Sequence, residues 1–227
     1  MEAIVLAGGK GTRLQTVISD VPKPMALIKG KPFLCYILDE LSHQGFSKVI
    51  ISVGYKKELI IDYFGEDYRN LKIQYAEEFE PLGTGGAIKK ALELTSEANL
   101  FVLNGDTYFD VDYKSLMKQQ IESKADLTIV LKEMKNIDRY GTVVTEGSRV
   151  VKFNEKQPAA TGKINGGIYL LKRYIFKQLD LPEKFSFESD FMQVYYDKLE
   201  FFGYISDGYF IDIGIPEDYY KAQKELK

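Results

Sequence analysis

The chain opens on an unbroken apolar run at 3–6, with no polar position to mark a solvent face. A short continuous run of this kind reads as a strand buried on both faces, the habit of a parallel sheet. Comparable extended segments are predicted at 49–53, 71–76 and 100–103. Between them the spacing is helical, at 32–44, 56–64 and 86–94. Pro32 takes a favoured first-turn position and Gly45 is a natural stop. Strand alternating with helix argues for a mostly parallel sheet covered on both faces. The second half changes character. Segments 127–131, 142–145, 150–154 and 164–171 read as successive strands, with Glu146-Gly147-Ser148 suited to a hairpin connection. Helical patterns return at 189–199 and 217–226. The expectation is one mixed sheet whose antiparallel insertion walls a cleft.

The first predicted strand empties directly into Leu6-Ala7-Gly8-Gly9-Lys10-Gly11-Thr12-Arg13-Leu14. A buried strand followed by glycines and an arginine is a phosphate-handling loop, and its letters exclude two better-known ones. A Walker A loop needs Ser or Thr after Gly-Lys, and Gly11 follows Lys10. The dinucleotide fingerprint needs a third glycine, and it must open a helix. Here Pro22-Lys23-Pro24 follows closely, and paired prolines forbid a regular helix. A lone glycine turn would ordinarily be only a turn. Its place at the carboxyl end of the first strand, where open α/β sheets bind ligands, favours function.

Composition narrows the class. The 227 residues suit one large domain or two closely joined ones, enough to bury a core without disulfides. Lys plus Arg total 30 against 33 Asp plus Glu, a net charge of -3, which argues against a bulk electrostatic grip on nucleic acid. It leaves room for a nucleotide, which needs only local positive charge. A single cysteine, Cys35, permits no intrachain disulfide and fits a reducing cytoplasm. The N-terminus reads as a core strand and not a signal peptide, and no apolar stretch approaches the roughly 20 residues of a membrane helix. The expectation is a soluble cytoplasmic protein with no membrane and no nucleic-acid partner, self-association into a homo-oligomer being left open.

Five clusters fall at the ends of predicted strands. They are the opening loop with Arg13 and Lys23; Glu80-Pro81-Leu82-Gly83-Thr84-Gly85-Gly86-Ala87; Asn104-Gly105-Asp106; Phe153-Asn154-Glu155-Lys156 with Asn165-Gly166-Gly167; and Asp212 in Phe210-Ile211-Asp212-Ile213-Gly214. Taken singly, a glycine-rich helix start is a common cap, Glu155-Lys156 a solvated pair and Asp212 a turn acid. Together they supply two carboxylates, several cations and two glycine loops. That is what a magnesium-dependent reaction on a nucleoside triphosphate requires, since magnesium takes one or two carboxylates plus phosphate oxygens. His43, the one histidine, sits on a predicted helix and reads as structural or solvated.

In this order, and over nearly the whole chain, these motifs resemble the sugar-1-phosphate nucleotidyltransferases. The resemblance implies a Rossmann-like three-layer α/β/α nucleotidyltransferase fold, its mixed, mostly parallel sheet carrying an antiparallel sugar-binding insertion. It implies a single domain over 1–227, with residues 1–110 roughly the nucleotide-binding part and 111–227 the sugar-phosphate part. It assigns Leu6, Ala7, Gly8, Gly9, Gly11 and Thr12 to the nucleotide, Arg13 to the departing pyrophosphate and Lys23 to the phosphates during transfer. Asp106 and Asp212 match the magnesium-binding aspartates, with Arg13, Lys23 and Asp106 carrying catalysis. Gly83, Thr84 and neighbours match the base-contacting loop. Gly141, Glu155, Lys156 and Asn165 match positions on the sugar phosphate.

A sugar-1-phosphate is already anionic near neutral pH, since its second pKa is about 6, so no general base is required. Thymidylyl- and uridylyltransferases often place a pyrimidine-reading glutamine near the second loop. Here Glu80-Pro81-Leu82-Gly83-Thr84 resembles the guanylyl version, and Glu80 is the carboxylate offered to guanine. The resemblance therefore favours GTP and, by the short chain, a heptose 1-phosphate acceptor whose product feeds a surface glycan. Mannose-1-phosphate guanylyltransferases and uridylyl or thymidylyl enzymes are the alternatives. A non-catalytic sensing relative would be expected to lose Arg13, Lys23 or an aspartate, and all are present.

Overall fold

The computed structural model describes every residue except Lys10, Thr12, Arg13, Gln15, Thr16, Ser19, Asp138, Glu155, Lys156, Gln157 and Lys227. The strands are β1 (Glu2–Leu6), β2 (Leu27–Ile28), β3 (Lys31–Pro32), β4 (Lys48–Val53), β5 (Asp67–Tyr68), β6 (Leu71–Glu77) and β7 (Asn99–Asn104). They continue as β8 (Thr107–Phe109), β9 (Leu127–Ile137), β10 (Thr142–Glu146), β11 (Arg149–Asn154), β12 (Ala159–Lys172), β13 (Phe201–Ile205) and β14 (Phe210–Asp212). The helices are α1 (Phe33–His43), α2 (Lys57–Phe64), α3 (Gly83–Leu92), α4 (Tyr113–Ser123), α5 (Gln193–Tyr195) and α6 (Pro216–Glu225).

Among the described residues, one ten-stranded sheet runs β10-β11-β13-β9-β12-β7-β1-β4-β6-β5. The apolar run of β1 lies between β4 and β7 and is parallel to both. Its side chains alternate across the sheet, as strand geometry requires. Ala3 and Val5 join the core under α1, α2 and α4, with Leu34, Leu38, Ile60 and Leu116. Ile4 joins the opposite core, with Ile88 and Ala91 of α3 and with Phe187 and Phe191. These are the three layers that the alternation of strand and helix predicts. The second half enters through β12, antiparallel to both β7 and β9, so its strands extend the same sheet.

Some elements differ from the sequence pattern for identifiable reasons. Strand β9 runs well past the apolar stretch 127–131, because residues 132–136 lie on a half-exposed arm paired to β12, where burial no longer marks the strand. Helix α4 escaped the periodicity altogether. Its start is set locally by Asp112, whose carboxylate accepts from the Lys114 and Ser115 amides, a cap that stabilises by about 1 kcal/mol. The segment predicted helical at 189–199 begins as a π-turn, Phe187–Met192, before the short α5. Its Phe187 and Phe191 rings stack with centroids 5.2 Å apart inside the second core. Around Pro24 a short 3-10 turn, Lys23–Met25, forms in place of a regular helix, as the prolines require.

Candidate active site

Three parallel strands, β1, β4 and β7, end at the same edge of the sheet. Their carboxyl ends, with the start of α3, enclose a cavity of about 370 Å³. Leu6, Ala7, Gly8, Gly9 and Gly11 form one wall, Gly83 and Thr84 another, and Lys23, Asn104 and Asp106 the floor. The first loop, the Pro-Lys-Pro segment and Asn104-Gly105-Asp106 thus converge on one space. A larger groove lies elsewhere, lined by Met25, Leu27, Tyr63 and Tyr219 among others. Among the described residues its one charged lining residue is Asp62, and none of those lining it is a cation.

Two backbone features place the charged groups. The Gly105 amide donates to the Leu6 carbonyl at 2.9 Å, which ties the end of β7 to the end of β1. Asp106 follows, and its carboxylate accepts from Lys23 Nζ at 3.0 Å. An ammonium has three donors, so two remain for other acceptors. Gly11 makes room for the lysine. Its φ is +61°, and a Cβ there would overlap the Lys23 stem. Gly11→Ala is therefore expected to lower kcat on the order of tenfold to a hundredfold, by displacing Lys23, and to lower the melting temperature by only a few degrees, for the strain of alanine at a positive φ. Steady-state rates and a thermal melt would check this, and a wild-type kcat would contradict it.

Strand β14 pairs antiparallel with β8, setting Asp212 opposite Thr107, and the Ile213 amide donates to the Asp106 carbonyl at 3.0 Å. The two aspartates far apart in sequence are so brought to adjacent segments, Asp106 in the turn before β8 and Asp212 at the end of β14. Asp212 Oδ1 also accepts from the Gly214 amide at 2.7 Å, which fixes its rotamer. Among the described residues no cluster of three or more metal-type side chains occurs. Asp106 lines the cavity and Asp212 does not, but the backbone pairing sets the two on adjacent segments, and a pair of carboxylates is a donor set that fits magnesium, which usually keeps several waters and takes substrate oxygens. The lining points the same way. Lys23 is the one cation among the described lining residues, set against Glu78, Asp106 and Glu188, so a polyanion bound there needs further positive charge.

The second glycine-rich stretch differs from expectation. The Gly85 and Gly86 amides both donate to the Phe185 carbonyl, so these N–H groups at the start of α3 are occupied by protein. Cβ atoms at Gly83 and Gly86 would run into the backbone of Phe185 and Glu183. These glycines admit a crossing chain segment, while Gly83 and Thr84 still border the cavity. Glu80 is exposed and lies outside the cavity lining; the carboxylate that lines it is Glu78, two residues earlier. Glu78 Oε1 accepts from Ser52 Oγ at 3.0 Å and Oε2 from the Leu82 amide at 3.1 Å. A Cβ on Gly8 would stand 2.5 Å from Glu78 Oε1, so the first loop abuts this carboxylate. Ser52 was the available signal, a polar residue inside the apolar run of β4.

A second cavity, about 240 Å³, lies under the antiparallel strands and is lined by Gly141, Thr142, Asn154, Asn165 and Gln193 among others. The register of β12 against β9 shifts between Asn165 and Tyr169, a bulge that re-aims side chains beside a site. Asn165 is held there: Nδ2 donates to the Tyr169 hydroxyl at 2.8 Å, and Oδ1 accepts from the Gly167 amide at 3.0 Å. Gly141 and Asn165 are thus brought together, and Lys23, Asp106, Gly83 and Thr84 form the neighbouring site. Thr12, Arg13, Glu155 and Lys156 lie outside the described residues. Sequence reasoning missed Glu78 and Glu188, the latter carrying no motif at all.

The model of the family described as nucleotidyl transferase matches residues 2–227. The chain is 55% identical, over all of its length and 99% of the relative's, to a D-glycero-alpha-D-manno-heptose 1-phosphate guanylyltransferase of Aneurinibacillus thermoaerophilus. A mannose-1-phosphate guanylyltransferase of Mycobacterium tuberculosis is 33% identical, with 64% of its length covered. Among solved structures, HddC from Yersinia pseudotuberculosis complexed with GMP-PN superposes with a TM-score of 0.88 at 42% identity, covering 100% of this chain and 99% of that one.

Proposed function

The chain belongs to the nucleotidyl transferase family, and from that premise we propose that it joins the guanylyl group of GTP to D-glycero-D-manno-heptose 1-phosphate, releasing pyrophosphate. The observation that carries the reading is the Lys23–Asp106 pair at the mouth of the glycine loop, with a second polar cavity alongside. The choice of heptose over mannose rests on the printed names of the relatives, 55% against 33% identical. A cytoplasmic site of action and a product destined for surface glycan belong to the same proposal. No described helix is long and apolar enough to cross a membrane.

In this reading the triphosphate lies along Gly8, Gly9 and Gly11, and the sugar phosphate enters from the side of Gly141 and Asn165. Both reactants are anions, so the task of the site is to align them and stabilise charge on the α-phosphoryl group and the leaving pyrophosphate. Lys23 offers its two remaining donors to phosphate oxygens, and Arg13 would take the pyrophosphate. Asp106 and Asp212 would hold magnesium, which when bound neutralises phosphate charge. The acceptor phosphate is its own nucleophile, so the chain has to orient it and need not deprotonate it. For the base, Glu78 replaces Glu80 as the reader. Its carboxylate accepts protein donors on each oxygen and has lone pairs left for the ring and exocyclic N–H groups of guanine.

The test is pyrophosphate release across GTP, UTP and dTTP, each with heptose, mannose and glucose 1-phosphates, with magnesium and with chelator. GTP with the heptose phosphate is expected to give the highest kcat/KM and to lose turnover with chelator. Preference for mannose 1-phosphate would move the acceptor assignment. Equal or better rates with UTP or dTTP and glucose 1-phosphate would defeat the guanylyl reading.

A further inference from the structure

Glu188, at the start of the π-turn, lines both cavities, the one above the glycine loop and the one under the antiparallel strands. Its Oε2 accepts from Thr84 Oγ1 at 2.6 Å and from Ser186 Oγ at 3.1 Å. Thr84 Oγ1 in turn accepts from the Phe187 amide at 2.8 Å, so the carboxylate is clamped between the start of α3 and the π-turn. Tyr169 stands beside it. Burial first and then the Glu188 charge push that phenol far above its usual pKa, so it stays a neutral hydroxyl beside the carboxylate. Tyr169 also holds Asn165. A continuous polar chain thus runs from the nucleotide side to the acceptor side, with an anion at its centre.

Among the described residues no lysine or arginine forms an ion pair with Glu188. A carboxylate offers about four lone-pair sites, and the two hydroxyls on Oε2 leave acceptor capacity toward the cavities. An anion so placed repels phosphate and attracts hydroxyl donors. Fixed by two protein hydroxyls, it has little rotamer freedom left to lose on binding.

We propose that Glu188 is a specificity-determining residue of the acceptor subsite, accepting a hydrogen bond from a ring or side-chain hydroxyl of the sugar phosphate at the junction of the two cavities. The inference rests on the sugar-1-phosphate reading above. A charged, half-buried acceptor of this kind discriminates, because a sugar lacking the matching hydroxyl covers the carboxylate while leaving its remaining acceptor capacity unmet.

The experiment uses Glu188→Gln in the full chain, with the acceptor KM from initial rates and the dissociation constant of a non-hydrolysable GTP analogue by titration. The expected result is an acceptor KM raised about tenfold or more with analogue affinity within about twofold of wild type. A series of monodeoxy sugar 1-phosphates adds a second readout. One deoxygenation costly to the wild type should cost Glu188→Gln less, since the neutral amide accepts the same contact more weakly than the carboxylate. If analogue affinity falls while the acceptor KM stays put, Glu188 serves only to hold Thr84 and the inference is overturned. Unmoved values in both overturn it as well. Should Glu188→Gln fail to fold, Glu188→Asp keeps the charge, retracts the carboxylate and is read by the same two constants. Absence of wild-type turnover with any sugar 1-phosphate would sink the proposed reaction itself, whereas normal wild-type turnover with an unmoved acceptor KM would sink only this assignment.

Discussion

Lys23→Ala is expected to lower kcat on the order of a thousandfold while leaving the fold intact. The lysine side chain is 12% exposed and sits where the Pro-Lys-Pro turn meets the ends of β1 and β7. Its charge is held 3.0 Å from Asp106 before any substrate arrives, so no reorganisation is needed when phosphate charge develops. Removing it frees Asp106, which is 31% exposed and remains hydrated, so the stability cost is small. Asp106→Ala should produce a loss of similar size, and adding magnesium should not restore it. Single-turnover rates and thermal melts of both variants decide the matter. Near-normal rates in either variant would remove that residue from the chemistry.

Glu78→Gln should reduce kcat/KM for GTP on the order of a hundredfold and narrow the gap to UTP and dTTP. Guanine presents adjacent N–H donors, which two carboxylate oxygens match and an amide matches with only one. The new amide nitrogen would also face the Ser52 hydroxyl or the Leu82 amide, both of which donate to Glu78. An amide does suit a pyrimidine, which pairs an N–H with a carbonyl. Measured kcat/KM for the three nucleotides would expose an error at once: an unchanged GTP preference in Glu78→Gln, combined with a lost preference in Glu80→Gln, would return the role to the exposed Glu80.

Much of this is legible in the sequence, and the reasons are local. Apolar continuity at 3–6 and 49–53 marks strands buried on both faces, and β1 and β4 lie where that predicts. Glycines between a buried strand and two prolines leave few conformations other than a loop. What escaped has equally physical causes. In Glu77-Glu78-Phe79-Glu80 every letter is polar or exposed except through context, and the half turn between Glu78 and Glu80 separates a cavity wall from solvent. Asp112 announced α4 only through hydrogen bonds to its own following amides.

The class of chemistry and the family of fold are written in short segments whose conformations are set by neighbours: glycines for a loop, prolines for a turn, apolar runs for buried strands. Which carboxylates come together follows from the chain's long-range pairing instead. Asp106 meets Lys23 across 83 positions of chain, Asp212 comes beside it through the β8–β14 pairing, and Glu188 reaches Thr84 across 104 positions. Such pairings depend on strand order and on a crossing segment received by the glycines of α3. Their residues leave no periodic trace, since a single polar side chain at a cavity costs the local pattern nothing.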